Sequence, residues 1–250
     1  PVGAMLPWKR AKLGRTMRSL RPAFALAVAI GLLGFALQTG RSALGPVGLF
    51  LGTWLVFGAL TDLWVRTGRS DGRFGRLMRL PRADLGKTVA HAGLGITMLG
   101  ISAMMAWQQE DIRVLKSGES VDLAGYTIQL NSVDRFEGPN YFGTRGDFTL
   151  LKAGAEIAPM YPEKRVYPVA KMPTTEAAID IGFWRDIYVV IGDPQADGGW
   201  AVRSYYKPLA NWIWGGAILM GLGGALSLTD RRYRVAAGAR RRISQGVPAE

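Results

Sequence analysis

Cysteine is absent from this 250-residue chain, histidine occurs once, and only 19 residues are acidic against 31 that are Lys or Arg. Without cysteine the chain forms neither disulfides nor thiolate metal sites. The one histidine, His91, lies in an apolar run that is long enough to cross a membrane. Ionisable groups in such runs are costly and usually face a bundle interior, a cavity or a cofactor. We therefore expect the chemistry of this chain at His91.

The excess of basic residues gives a formal net charge of +12, while 48% of the residues are hydrophobic. Binding to nucleic acid would require this charge on one groove-facing surface. The basic residues instead form separate blocks beside apolar runs, which is typical of the loops of a membrane protein. The pattern predicts contact with membrane lipid and no nucleic-acid partner.

Four apolar runs are long enough for membrane-spanning helices, since about 20 residues of helix match a hydrocarbon core of about 30 Å. The predicted spans are residues 22–38, 47–65, 88–107 and 207–229. Residues 108–206 form an insert between the third and fourth spans. The predicted fold class is thus a polytopic α-helical membrane protein with four spans and a small, mainly β extracytoplasmic domain.

Charge also predicts the orientation of the spans. The basic arm 1–21, the basic loop 66–87 and the basic tail 230–250 must share one side if there are four spans, and the insert lies on the other side. The insert holds 14 acidic and 10 basic residues, a net charge of −4. The positive-inside rule then predicts cytoplasmic N- and C-termini and an external insert. Because the chain starts at Pro1 and no signal peptide precedes the first span, we expect it to be the C-terminal piece of a longer protein.

The insert alternates apolar and polar residues in short runs separated by Gly and Pro, which predicts an antiparallel β domain, a small sandwich or an open barrel. The predicted strands include residues 126–133, 147–151, 178–181 and 187–191, and residues 137–147 are expected to be a hairpin connection. The insert has no Ser/His/Asp set, paired-carboxylate motif, phosphate-binding glycine loop or nucleotide fingerprint.

Three roles are open for His91 on the residues alone. A neutral imidazole is a good axial ligand for haem iron, and Gly95, one turn away, leaves room for a flat ring on that helix face. Met98 and Met105 lie on the same helix, so they cannot supply the opposite axial ligand. Alternatively, His91 relays protons with Asp62, or it only packs against polar groups of the bundle.

Several motifs, in one order along the whole chain, resemble the C-terminal part of the CcmF family, the integral-membrane subunit of a bacterial cytochrome c haem lyase. The resembling segments are 6–10 (Leu-Pro-Trp-Lys-Arg), 90–96 (Ala-His-Ala-Gly-Leu-Gly-Ile), 161–167 (Tyr-Pro-Glu-Lys-Arg-Val-Tyr), 175–179 (Thr-Glu-Ala-Ala-Ile), 186–189 (Asp-Ile-Tyr-Val), 206–216 (Tyr-Lys-Pro-Leu-Ala-Asn-Trp-Ile-Trp-Gly-Gly) and 227–233 (Ser-Leu-Thr-Asp-Arg-Arg-Tyr).

The resemblance implies a role for His91. In that family two membrane histidines hold a transmembrane haem b, and His91 matches the second of them. The implied partners are the haem chaperone CcmE, a CcmH-type thiol-handling subunit and apocytochrome c. The implied location is the bacterial inner membrane, and the implied reaction joins haem vinyl groups to the cysteines of a Cys-x-x-Cys-His segment.

Other parts of the family pattern do not occur in these 250 residues. The family also has a tryptophan-rich haem-handling segment and two periplasmic histidines, and this chain has neither. The resemblance therefore implies a fragment or a split-gene product that alone does not attach haem. Trp212 and Trp214 are expected to be interface anchors, and Arg145, Arg165 and Arg203 to be candidate contacts for propionates or carboxylates. The rival function is a membrane scaffold or transporter subunit.

Overall fold

The computed structural model of the chain describes residues 2–5, 13–40, 42–68 and 72–230. Most of the predicted basic tail, and the motif at residues 6–10, lie outside this part of the chain. The described residues form helices α1 Val2–Met5, α2 Leu13–Leu37, α3 Leu44–Thr67, α4 Arg73–Met78, α5 Arg82–Trp107 and α6 Ala210–Leu228. Helices α2, α3, α5 and α6 are long and apolar enough to cross a membrane. These four helices confirm the predicted number of spans.

Helix boundaries differ from the predicted spans mainly at the N-terminal ends. Helix α2 starts at Leu13 rather than at residue 22, so part of the basic arm is helical. Helix α5 starts at Arg82 rather than at residue 88, and α4 lies within the predicted loop 66–87. These extensions are polar, and an apolar pattern alone cannot mark where a helix that continues beyond the hydrocarbon core begins.

Small residues bring the helices together at close range. A Cβ atom on Gly31 of α2 would lie 3.1 Å from Phe50 Cβ of α3, and one on Gly52 of α3 would lie 2.9 Å from the Gly95 carbonyl oxygen of α5. Helix α5 contacts α6 in the same way, through Gly93 and Gly216. Backbones can approach this closely only where neither helix carries a side chain, as is usual between membrane helices.

The chain between α5 and α6 is a β domain, which forms a compact unit together with residues 38–42 and the adjoining ends of α5 and α6. One sheet has the order β1-β10-β9-β8 and the other has the order β2-β3-β4-β6-β7, with β5 also paired to β4. Every pairing is antiparallel. The strands are β1 Gln109–Leu115, β2 Ser120–Leu123, β3 Tyr126–Glu137, β4 Phe142–Lys152, β5 Ala155–Met160, β6 Glu163–Tyr167, β7 Met172–Glu176, β8 Ala178–Ile181, β9 Arg185–Pro194 and β10 Trp200–Pro208.

The core of the domain is made of alternate residues from strands of both sheets. Ile128 and Phe148 of the second sheet and Ile187, Val189 and Val202 of the first are at most 1% exposed and belong to one cluster. Because side chains alternate along a strand, each sheet supplies one apolar face to this cluster. The arrangement confirms the predicted fold class, a four-span helical protein with a β domain inserted before the last span.

One loop prediction within the domain is wrong. Residues 137–147 are not a long connection, because β3 continues to Glu137 and β4 begins at Phe142. The polar residues of this segment face solvent on two extended strands, so the composition resembles that of a loop. Only the turn at residues 138–141 connects the strands, where the Gly138 amide donates to the Tyr141 carbonyl oxygen at 2.8 Å.

Candidate functional site

His91 lies in the first half of α5, and its ring is half-buried. Its Nδ1 atom is 2.8 Å from the backbone carbonyl oxygen of Lys87, one helical turn earlier. A carbonyl oxygen only accepts hydrogen bonds, so Nδ1 carries the proton. In the neutral ring Nε2 then has a free lone pair, and this hydrogen bond to a backbone carbonyl is the usual second interaction of a metal-binding histidine. This hydrogen bond leaves Nε2 as the ring nitrogen that could bind a ligand.

Gly95 has a packing role in this structure. A Cβ atom on Gly95 would lie 2.8 Å from the Gly52 carbonyl oxygen and 2.6 Å from Val56 Cγ2, both on α3. The sequence predicts free space for a flat ring beside Gly95. In the described helices, α3 occupies that space. Gly95 lets α5 approach α3 and so fixes the helix surface from which His91 projects.

A group of charged side chains lies next to His91. Asp62 of α3 is 5% exposed, and its carboxylate oxygens are 2.8 Å from Arg66 Nε and 2.7 Å from Lys87 Nζ. Arg66 also lies 3.1 Å from Asp84, the acidic residue in the first turn of α5. Two carboxylates thus balance two cations, and the pairs join α3 to α5 beside the turn that holds His91.

The enclosed space beside His91 is small. His91 shares it with Asp62, Lys87, Thr88 and three apolar or small residues of α3, and its volume is about 10 Å³. A water molecule needs a cavity of about this size. A macrocycle cannot enter here, so any large group bound at His91 lies outside the α3–α5 contact.

An outer stripe of α5 continues from His91 along the helix. The stripe consists of His91, Leu94, Met98, Ile101 and Met105, and their spacing of three and four residues puts them on one helix face. Leu94, Ile101 and Met105 are 40%, 45% and 41% exposed. The stripe is thus a partly exposed apolar surface that begins at His91.

The other candidate residues lie far from His91 in sequence, and the three arginines among them form ion pairs. Arg145 and Arg165 both pair with Glu163, at 2.7 and 2.8 Å, and Arg203 pairs with Glu110 at 3.3 Å. Trp214, near the start of α6, is 72% exposed, as an interface anchor would be. Within the described part of the chain no three His, Asp or Glu side chains are grouped to hold a metal ion.

Sequence reasoning did not identify Lys87, Arg66 and Asp84 as neighbours of His91. The spacing of four between Lys87 and His91 predicts that they share a face, and so does the spacing of four between Asp62 and Arg66. The pairing of Asp62 with Lys87 joins two helices, and no local spacing indicates it.

The chain is similar to several known proteins. Residues 106–208 match the family model described as the CcmF C-terminal beta-sandwich. The whole chain is 55% identical to the cytochrome c-type biogenesis protein ccl1 of Rhodobacter capsulatus, covering 38% of that protein. Over 97% of its length it is 41% identical to the cytochrome c-type biogenesis protein CycK of Rhizobium meliloti, covering 36% of it.

A solved structure named Cytochrome c Heme Lyase CcmF has the same fold, with a TM-score of 0.69 and 20% sequence identity over 91% of this chain and 37% of that one. The chain spans little more than a third of the length of the curated relatives described above. Along its whole length the chain is similar to the C-terminal part of CcmF-type cytochrome c-type biogenesis proteins, and its residues 106–208 match the C-terminal β-sandwich of CcmF.

Proposed function

We propose that this chain is part of a cytochrome c haem lyase and that His91 supplies one axial ligand to a haem b within the membrane. The observation that carries the proposal is the Nδ1 hydrogen bond to the Lys87 carbonyl oxygen, which leaves Nε2 as the free ligand atom. The family relationship supports it, because relatives of this chain are cytochrome c-type biogenesis proteins.

The proposed site has one wall in this chain. One helix could supply only one of two opposed ligands, and His91 is the only histidine in the sequence, so a second histidine ligand would come from a segment or subunit outside these 250 residues. The outer stripe that runs from His91 to Met105 would lie against one face of the macrocycle. Gly95 would act indirectly, because its contact with α3 keeps the backbone in place behind His91.

Bound haem would supply a redox-active iron, and the protein would hold it in place and tune it. The charge-balanced group of Asp62, Arg66, Asp84 and Lys87 adds no net charge beside the ligand. The lyase reaction of the complete protein would add a cysteine S–H across each haem vinyl double bond, with sulfur bonding to one vinyl carbon and hydrogen to the other.

The β domain would serve as an extracytoplasmic platform at which haem is attached to apocytochrome c. We expect CcmE and a CcmH-type subunit as further partners, and a bacterial inner-membrane location with cytoplasmic termini. The domain's ion pairs on Glu163 and Glu110 hold three of its arginines, so we assign no catalytic side chain to it.

The test is the visible spectrum of the protein purified at its full native length. We expect His91→Ala to lose the reduced spectrum of a six-coordinate b-type haem, because one axial ligand is gone, and added imidazole to restore part of it. Ser102→Ala on the same helix removes a hydroxyl that bonds only within α5, so its spectrum should match that of the wild type. Equal six-coordinate haem in wild type and His91→Ala would disprove the ligand role.

A proton relay is the second candidate, because Asp62 and His91 line one cavity that has room for a water molecule. This role predicts an unchanged haem spectrum in His91→Ala and an activity that depends on Asp62. The close pairing of Asp62 with both Arg66 and Lys87 makes the first function the better supported one, because it gives this carboxylate a structural role in joining α3 to α5.

A further inference from the structure

The turn between β8 and β9 lies at the end of the four-stranded sheet from which the membrane spans emerge. Strand β1 starts two residues after α5 ends at Trp107, and β10 ends at Pro208, two residues before α6 begins. In the sheet Pro208 is opposite Arg185, the first residue of β9, and Asp186 is opposite Ile181, the last residue of β8. The β8–β9 turn, residues 182–184, therefore belongs to the membrane-proximal end of the sheet.

Hydrogen bonds tie this turn to the first residues of the last span. The Leu209 amide donates to the Trp184 carbonyl oxygen at 2.9 Å. The Asn211 side chain donates to the Gly182 carbonyl oxygen and to Asp186 Oδ1, both at 2.9 Å. Asn211 is the second residue of α6, so these bonds hold the turn beside the start of that helix.

The side chains at this level are large, apolar and exposed. Ile181, Phe183 and Trp184 are 68%, 66% and 66% exposed, and the rings of Phe183 and Trp184 pack edge to face with centroids 4.8 Å apart. Aromatic side chains of this kind are enriched where a membrane protein meets the headgroup region. Lipid is the occupant that the position requires, because the start of a span at the same level is itself surrounded by lipid.

We propose that the β8–β9 turn is a membrane anchor of the β domain, in which Phe183 and Trp184 insert into the headgroup and acyl boundary of the adjacent leaflet. Ile181 lies at the edge of the inserted region. Ile179, two residues before Ile181 in β8 and 43% exposed, is about 7 Å further from the turn along the strand, so it should be nearer to water. The anchor fixes the depth of one end of the sheet independently of whether haem is bound.

The absence of cysteine makes a direct test possible. Phe183→Cys and Trp184→Cys, each carrying a nitroxide label, are reconstituted as the 250-residue chain in nanodiscs of phosphatidylethanolamine and phosphatidylglycerol. Power-saturation EPR then measures collision with oxygen, which concentrates in lipid, and with a water-soluble nickel chelate. Val169→Cys is the control, because Val169 lies between β6 and β7 and is 99% exposed.

Labels at 183 and 184 should collide with oxygen several times more often, relative to the nickel chelate, than the label at 169, and a label at 179 should give an intermediate ratio. Nickel access at 183 and 184 equal to that at 169 would show that the turn is in water and would overturn the proposal. Low access to both reagents would show a protein contact and would overturn it too. Two labelled positions ensure that one misfolded variant does not decide the outcome.

Discussion

At the level of single residues, Asp62 is the most constrained side chain near His91. It is 5% exposed and touches both Arg66 and Lys87. Asp62→Asn should lower the stability of the protein in detergent by about 1.5–3 kcal/mol, because the carboxylate that pairs with both Arg66 and Lys87 is replaced by a neutral amide. A thermal unfolding curve of the purified variant measures this loss.

The double variant Asp62→Asn with Lys87→Met separates a structural ion pair from a proton relay. Removing both charges leaves Arg66 paired with Asp84 at 3.1 Å, so the double variant should be more stable than Asp62→Asn alone. If the single variant keeps wild-type stability and loses only activity, the ion pair is not structural and the relay function gains support.

The sequence identifies His91 and leaves most of its surroundings unpredicted. One histidine in an apolar run is visible without a structure, because the cost of an ionisable group in a membrane makes it conspicuous. The bond from Nδ1 to the Lys87 carbonyl follows from helical spacing. The contact of Asp62 with Lys87 does not, since it depends on how two helices pack, and the same packing fills the space beside Gly95.

At the level of elements, the contact between α5 and α6 depends on glycines that face each other. A Cβ atom on Gly216 would lie 2.5 Å from the Gly93 carbonyl oxygen and 2.3 Å from Thr97 Oγ1. Gly216→Ala should therefore push the two helices apart and lower the stability by about 1–3 kcal/mol. The midpoint of thermal unfolding in detergent reports the change.

The neighbouring residue provides the control for this prediction. Gly215 lies in the same helix, and a Cβ atom there would meet nothing within 4 Å. Gly215→Ala should be neutral or slightly stabilising, since alanine favours helix more than glycine does. Equal destabilisation by both substitutions would mean that the effect comes from helix propensity or lipid contact and not from the α5–α6 contact.

Strands β4 and β6 are joined by a carboxylate between two guanidinium groups. Burial alone would raise the pKa of the Glu163 carboxyl, but hydrogen bonds from Arg165 and Arg145 outweigh burial and hold that pKa below its usual range. The stability that these pairs contribute is present at neutral pH and is lost as the pH falls through the lowered pKa. Wild-type protein should therefore lose this contribution progressively as the pH falls below the ordinary pKa of a glutamate.

Glu163→Gln should lower the midpoint of thermal unfolding at pH 7, and its difference from wild type should shrink as the solution is acidified. Asp193→Asn is the matched control, because Asp193 pairs with Lys164 but its side chain is 73% exposed. An exposed pair contributes little, so this variant should stay within about 0.5 kcal/mol of wild type. A Glu163→Gln effect that does not change with pH would contradict the assigned pairing.

Period-two patterning predicts the β domain better than it predicts the ends of its strands. Residues 178–181 are a strand in both the prediction and the structure. The sequence predicts a connection at residues 142–147, but these residues belong to β4. There the Gly146 amide donates to the Pro162 carbonyl oxygen at 3.0 Å. The glycines and charged residues at 143–147 are typical of a turn. Only the long-range pairing of β4 with β3 and β6 shows that the segment is extended.

At the level of the whole molecule, the distribution of charge along the chain predicts which side of the membrane each segment occupies. Only five of the 19 acidic residues lie outside residues 108–206, whereas the loop 66–87 carries seven Lys or Arg against two Asp. Positive charge near the ends of the spans is retained on the cytoplasmic side. The β domain and α4 should then be on opposite sides.

Two cysteine variants of the cysteine-free chain test this orientation in intact cells with an outer membrane made permeable. Val169→Cys in the β domain should react with a membrane-impermeant thiol reagent before lysis, because residue 169 is 99% exposed and the charge distribution predicts that the β domain is external. Phe74 in α4 is 71% exposed. Phe74→Cys should react only after lysis, because the inner membrane separates a cytoplasmic residue from the reagent. Reaction at residue 74 before lysis, together with protection at residue 169, would show that the orientation is the opposite of the predicted one. Because His91 lies nearer to the Arg82 end of α5 than to the Trp107 end, an inverted topology would also move the proposed haem site from the cytoplasmic half of the membrane to the external half.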